Sequence, residues 1–249
     1  MSGTGATTAR PEEIARFGAL ASRWWDRGGP MAPLHAMNPV RCAWVAERVA
    51  RAAGRGAGGD VAGLRVLDVG CGAGIAAEWF AARGAVVTGL DAAGEALAAA
   101  RVHAAAGGLD IAYVEGAPEG FAPDGGPFDA VLALEVVEHV EPGPPRAAFL
   151  AALARLARPG GGVVALSTLN RTARSFALAK VGAEYVLRLL PRGTHDWRLF
   201  PTPSELGAGL RAAGLRPTEA AGMTYDLAAR RWRVGADLGV NYLLAATRP

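Results

Sequence analysis

Nine consecutive residues, Val66-Leu67-Asp68-Val69-Gly70-Cys71-Gly72-Ala73-Gly74, place a carboxylate two positions ahead of three glycines at alternate sites. Glycines let a chain turn sharply, and without a Cβ they let a ligand lie against the main chain. A second acid, Asp91, follows 17 residues after Gly74, where a carboxylate can accept both hydroxyls of a ribose. The pattern reads as a nucleoside-binding turn with its ribose acid. A second cluster is Glu135-Val136-Val137-Glu138-His139. On a helical turn, positions i, i+3 and i+4 share a face, which would aim Glu135, Glu138 and His139 together. Two carboxylates and an imidazole can hold a divalent cation such as Mg2+, or one of them can take the proton of a phenol. The plainer alternative is a solvated helix start, with His139 packing or capping.

The elements that must position these groups follow a regular alternation. Apolar runs at 65–69, 85–90, 111–114, 128–134 and 162–167 predict five strands, and helical patterns fill 75–83, 95–106 and 149–157 between them. Strands separated by helices of this length predict βαβ units and a parallel sheet covered on both faces. The glycine turn, Asp91, Leu134 and the Glu135 cluster then all fall at the carboxyl edge of that sheet, where ligands of such folds bind. A helix at 206–213 and strands at 216–224 and 241–247 predict an antiparallel end to the sheet, the 225–240 connection carrying no strongly apolar helix. Ahead of this core lie a helix from Pro11 onward, Trp24-Trp25-Asp26, and a second helix after Asn38-Pro39. The paired tryptophans suit either a core or the wall of a pocket. The divisions expected are a helical cap at 1–59, a cofactor-binding core at 60–170, an insertion at 171–205 and a closing helix and strand pair at 206–249.

The glycine spacing separates two nucleotide chemistries. A dinucleotide turn wants G-x-G-x-x-G; counted from Gly70 it fails at Ile75, and from Gly72 it is met only weakly, with Ala77 in the last place. S-adenosylmethionine has no pyrophosphate, so an acid at Asp68 suits its amino group, whereas beside a pyrophosphate it would repel. The spacing predicts an S-adenosylmethionine methyltransferase, with the nicotinamide reductase as the alternative. Composition narrows the rest. The 249 residues are 51% apolar and 20% charged with net charge +3, and mean hydropathy is +0.18. No run of about 20 uncharged apolar residues offers a spanning helix. Cys42 and Cys71 form no CxxC pair, which fits a reduced compartment, and the first 16 residues carry no apolar secretory core. Nucleic acid is not expected as a partner: no Asp/Asn-Pro-Pro-Tyr follows the fourth strand and no Pro-Cys nucleophile occurs. Between 171 and 200, Phe176, Leu178, Val181, Val186 and Leu187 mix with Arg171, Arg174, Lys180, Arg188 and Arg192. Such a segment is either a lid or a basic amphipathic helix on anionic lipid.

Taken together, Arg23-Trp24-Trp25-Asp26, Pro33-Leu34-His35 with Asn38-Pro39-Val40-Arg41, Leu67–Gly72, Glu138-His139-Val140, Ser167-Thr168-Leu169-Asn170-Arg171, Gly182-Ala183-Glu184-Tyr185, 191–197 and Val240-Asn241-Tyr242 resemble the ubiquinone-biosynthesis O-methyltransferase family over nearly the whole chain. The resemblance implies a Rossmann-like class I methyltransferase fold: seven strands, mostly parallel, the last antiparallel, helices on both faces, and an insertion after strand five. It implies two O-methylations of polyprenylated phenol and catechol intermediates, 2-polyprenyl-6-hydroxyphenol and 3-demethylubiquinol, with S-adenosylmethionine as donor. Cofactor contacts are implied at Arg41, Gly70, Asp91 and Leu134, beside Asp68, Gly72 and Gly74 of the turn, and any Mg2+ at Glu135, Glu138 and His139. An anionic lipid surface, other ubiquinone-biosynthesis proteins and a peripheral place on the inner membrane, at the bacterial cytoplasmic or mitochondrial matrix face, are the implied surroundings. The sequence departs mildly from relatives at Ala73 and in the Gly/Pro-rich stretch 117–127. Two further readings stay open, a cofactor-binding lipid-surface scaffold without turnover and a methyltransferase acting on another small phenolic.

Overall fold

In a computed structural model of the chain, residues 7, 8, 10–177, 196–226 and 228–249 are described. The five parallel strands are β1 (Arg65–Val69), β2 (Val86–Asp91), β3 (Ile111–Glu115), β4 (Ala130–Leu134) and β5 (Val163–Leu169), followed by β6 (Arg216–Asp226), β7 (Arg231–Gly235) and β8 (Asn241–Thr247). The sheet order is β3-β2-β1-β4-β5-β8-β6-β7. β8 runs antiparallel between β5 and β6, and β7 is hairpinned onto β6 with Asp226 opposite Arg231. Among the described residues the sheet thus has eight strands rather than the seven expected. The extra one lies in the connection at 225–240, where Arg231-Trp232-Arg233-Val234 alternates exposed with half-buried residues, the period of a strand rather than a helix.

Alternation along the strands builds two cores. Val66 of β1 faces one side of the sheet with Val87, Leu132 and Ala165, while Leu67 and Val69 face the other with Val131, Leu166 and Tyr242. The first face is covered by α2 (Ala32–Ala52), α3 (Ile75–Ala81) and α4 (Gly94–Ala106), the second by α5 (Pro144–Leu156) and α7 (Pro203–Ala212); α6 (Ala173–Ser175) is a single turn after β5. Every residue of β4 and β5 is buried, the signature of strands covered on both sides. Each leucine so buried contributes roughly 1.5–3 kcal/mol.

The cap is formed by α1 (Pro11–Ala19) and the long α2. α2 does not begin after Asn38-Pro39, as the sequence predicts, but runs through Pro39. A proline there removes one helical hydrogen bond. Packing overrides it: Met37, Asn38, Arg41, Cys42, Trp44 and Val45 are all buried, and the Asn38 amide donates to the Ile75 carbonyl at 3.0 Å. Of the insertion, the ends are described. Thr172 caps α6, and the Trp197 indole donates to the Thr172 carbonyl at 3.0 Å. Gly182–Tyr185, residues 191–195 and the basic-apolar run 178–190 lie outside the described residues. No helix among the described residues is long and apolar enough to cross a membrane.

Candidate functional site

The strand β1 delivers the chain to its turn with Gly70, Gly72 and Gly74 at φ +68°, +53° and +88°. This backbone suits glycine and strains other residues. The turn is stitched to β2 by Gly70 and Cys71 amides donating to the Leu90 carbonyl, at 2.7 and 3.2 Å. At the end of β2 the Asp91 carboxylate accepts from the Gly72 amide and the Ala93 amide, both at 2.8 Å. Burial raises the Asp91 pKa, and those two N–H groups oppose the rise. Each oxygen keeps a second lone pair, so the carboxylate can still receive a hydroxyl.

Beneath the turn, Asp68 is buried and its Oδ2 has no partner among the described residues. Desolvation pushes its pKa up to about 7, against the pull of the Arg41 guanidinium. Arg41 is itself buried on α2, donating from Nε and Nη2 to the Asn38 Oδ1 at 3.2 and 3.1 Å. A buried carboxyl with a free oxygen beside a buried guanidinium is a dipolar seat. It fits the amino-acid end of S-adenosylmethionine, whose ammonium would meet Asp68 and whose carboxylate would meet Arg41. Leu134 ends β4, buried, with Ser167 beside it across the ladder.

The Glu135 cluster differs from expectation. Glu135 takes φ +60°, so the chain leaves β4 by a left-handed step, and only Val137–His139 form a short 3-10 turn. The three side chains do not share one helical face. The Glu135 carboxylate accepts from the Ser167 hydroxyl at 2.6 Å, with the Asn241 amide 3.4 Å from both its oxygens. Glu138 is buried and accepts from the Thr168 hydroxyl at 2.8 Å on Oε2. His139 turns toward the cap, its Nδ1 at 3.1 Å from Glu13 and its ring edge-on to Phe17 at 5.4 Å. No three His, Cys, Asp or Glu side chains among the described residues are grouped to hold a metal ion. With Glu135 engaged by Ser167 and His139 by Glu13, the three residues do not fit the Mg2+ seat expected of them.

A methyltransferase-domain family profile matches residues 66–161, the stretch from β1 to the turn before β5. The ubiquinone biosynthesis O-methyltransferase of Azorhizobium caulinodans is 47% identical over 243 residues, covering 97% of this chain and 94% of that one. The protein of the same name from Dinoroseobacter shibae is 46% identical, with 99% of each chain covered. The chain belongs to the ubiquinone biosynthesis O-methyltransferase family. It is an S-adenosylmethionine-dependent O-methyltransferase. The fold recurs in the magnesium protoporphyrin IX methyltransferase of Synechocystis PCC 6803 with bound SAH, at TM-score 0.57, 23% identity and coverage of 84% of this chain and 86% of that one. A methyltransferase of Clostridium acetobutylicum ATCC 824 gives TM-score 0.62 at 10% identity, covering 84% and 90%.

In this O-methyltransferase the structure brings Asp68, Gly70, Gly72, Gly74, Asp91 and Arg41 together around one turn, and sets Leu134 and Glu135 side by side at the end of β4. It also adds residues that spacing does not reveal. Ser167 and Thr168 on β5 and Asn241 on β8 hold the two glutamates, and register (Ser167 opposite Leu134, Leu169 opposite Asn241) is what places them there. Trp25, which the sequence leaves between core and pocket wall, sits at the glycine turn. Its indole donates to the Ala73 carbonyl at 3.0 Å inside the glycine turn, and its ring stacks on His103 of α4 with centroids 3.4 Å apart and planes 1° from parallel. His103 Nδ1 meets the Glu78 carboxylate of α3 at 2.8 Å. Trp24 closes the same turn, buried against Gly72. The paired tryptophans therefore belong to the cap's seat on the turn.

Proposed function

We propose that this chain carries the methyl group of S-adenosylmethionine to ring hydroxyls of polyprenylated phenol and catechol intermediates of ubiquinone, 2-polyprenyl-6-hydroxyphenol and 3-demethylubiquinol. The observation that carries the reading is one sheet edge holding both the glycine turn with Asp68 and Asp91 and a carboxyl group, Glu138, with a free oxygen. The cofactor, when bound, supplies a methyl already activated by its sulfonium. What remains for the protein is to hold the acceptor oxygen in line and to take its proton. Of the cluster, Glu135 is held by Ser167 and His139 faces Glu13. Glu138 keeps Oε1 without a partner among the described residues. Burial and the neighbouring Glu135 push its pKa up to about 7, near the value at which a general base works best in neutral solution. The phenol oxygen gains the methyl as its proton passes to Glu138, and the thioether product leaves.

A polyprenyl acceptor is dissolved in a bilayer, so the reading places the enzyme peripherally on the inner membrane, at its cytoplasmic or matrix face. The decisive experiment supplies labelled S-adenosylmethionine and a short-chain demethylubiquinol and follows the labelled ether. Glu138→Gln is expected to lower kcat by about 10²–10⁴ while S-adenosylhomocysteine still binds. Cofactor binding by the intact protein with no ether formed would sink the reading in favour of a scaffold.

A further inference from the structure

The β6–β7 hairpin takes no part in the chemistry above, yet its composition is two-sided. Tyr225 and Trp232 face each other across the ladder in a T-shaped pair, ring centroids 5.6 Å apart. Tyr225 is 45% exposed, one of the few large apolar side chains left open to solvent among the described residues. Together with Val234 and with Ala36 and Val40 of α2, the pair lines an open groove of about 710 Å³ whose remaining wall is Arg230, Arg231 and Arg233. All three arginines are exposed. The single acid between 225 and 234 is Asp226, which pairs with Arg233 at 2.7 Å. An apolar groove walled by excess guanidinium charge matches an amphiphile with an anionic head.

The hairpin also points the right way. β8 is antiparallel to β5 with Asn241 opposite Leu169, and β6 is antiparallel to β8 with Met223 opposite Asn241. The Tyr225–Asp226 end of β6 therefore leaves the sheet at the edge that carries the glycine turn and Glu138. Aromatic rings lie at the level of lipid head groups, and arginines are drawn to their phosphates. We propose that this hairpin tip docks on an anionic phospholipid surface, with Tyr225 and Trp232 in the head-group layer and the arginines on phosphates, so that the open edge of the site faces the bilayer. The proposal rests on the membrane reading given above and assigns it a contact.

The test uses the full chain and vesicles of phosphatidylcholine alone or mixed with phosphatidylglycerol, separated by flotation, beside turnover of a water-soluble short-chain acceptor. The triple change Arg230→Gln, Arg231→Gln, Arg233→Gln is expected to weaken binding to anionic vesicles by about 125-fold, three guanidinium charges at about fivefold each because Asp226 loses its partner, with short-chain turnover unchanged. Tyr225→Ser is expected to reduce the binding that persists in high salt. Equal vesicle binding by wild type and the triple variant overturns the proposal. So does a wild type that ignores anionic vesicles, even while it methylates the soluble acceptor. A triple variant weakened equally toward polyglutamate, with Tyr225→Ser silent, overturns it in favour of a general cationic patch. Loss of turnover by the wild type would instead strike the catalytic reading.

Discussion

Gly72→Ala tests the turn by adding a single methyl group. The new Cβ would lie 2.7 Å from Cη2 and 3.0 Å from Cε2 of Trp24, whereas carbon atoms rest at about 3.5–4.0 Å. Trp24 is buried and cannot step aside freely, so overpacking costs about 1–3 kcal/mol. The φ of +53° adds about 1–2 kcal/mol for a residue with a Cβ. Together the loss is about 3 kcal/mol, or a fall in Tm of about 6–12 °C for a chain of this size. Gly54→Ala is the control: its φ is +71° but nothing lies within 4 Å of its would-be Cβ, so it bears the backbone term alone. Scanning calorimetry of both variants, with and without S-adenosylhomocysteine, separates the two contributions. A Gly72→Ala protein no less stable than Gly54→Ala would refute the reasoning that Trp24 closes the turn.

Asp91→Asn removes one charged acceptor from the ribose position, and S-adenosylhomocysteine affinity measured by calorimetry should fall about 10–100-fold; an unchanged Kd would place the ribose elsewhere. Glu138 has a folded-state pKa near 7, above the ordinary 4.5, so its contribution to stability is full below about pH 4.5 and is lost as pH rises through 7. Glu138→Gln should accordingly match wild type in Tm at acid pH and exceed it at pH 8, and a gap independent of pH would count against the buried carboxyl. Thr168→Val takes the donor from Glu138 Oε2, which raises that pKa further. The acid limb of the kcat/KM profile should move to higher pH, and stability should drop by about 1–3 kcal/mol.

Much of this was legible because strands covered on both faces read as continuous apolar runs. β1, β4 and β5 stand within two residues of their expected bounds, and the glycine turn with Asp68 and Asp91 was plain from spacing alone. β7 was not, because two of its five residues are outward arginines, which break the apolar run that marks a strand. The shared helical face of Glu135, Glu138 and His139 failed for a local reason: one left-handed residue at Glu135 breaks the i, i+3, i+4 relation. Ser167, Thr168 and Asn241 are small polar residues inside apolar strands. Their roles depend on which strand lies beside β4, which is a property of topology rather than of spacing. Trp25 on His103 was beyond reach for the same reason, since 78 positions separate them.

That stack has a consequence for how binding is communicated. Among the cap's contacts with the nucleoside turn is the Trp25 indole N–H on the Ala73 carbonyl, and the same ring is stacked on His103 of α4, itself held by Glu78 of α3. Coupling between two sites is reciprocal in free energy. A cofactor that steadies the Ala73 carbonyl must also steady Trp25, and through it the first two helices. The cap will then report occupancy of the turn: its backbone amides should exchange with solvent more slowly once the nucleoside is seated, and a chain with Trp25→Leu should lose that message while keeping its sheet.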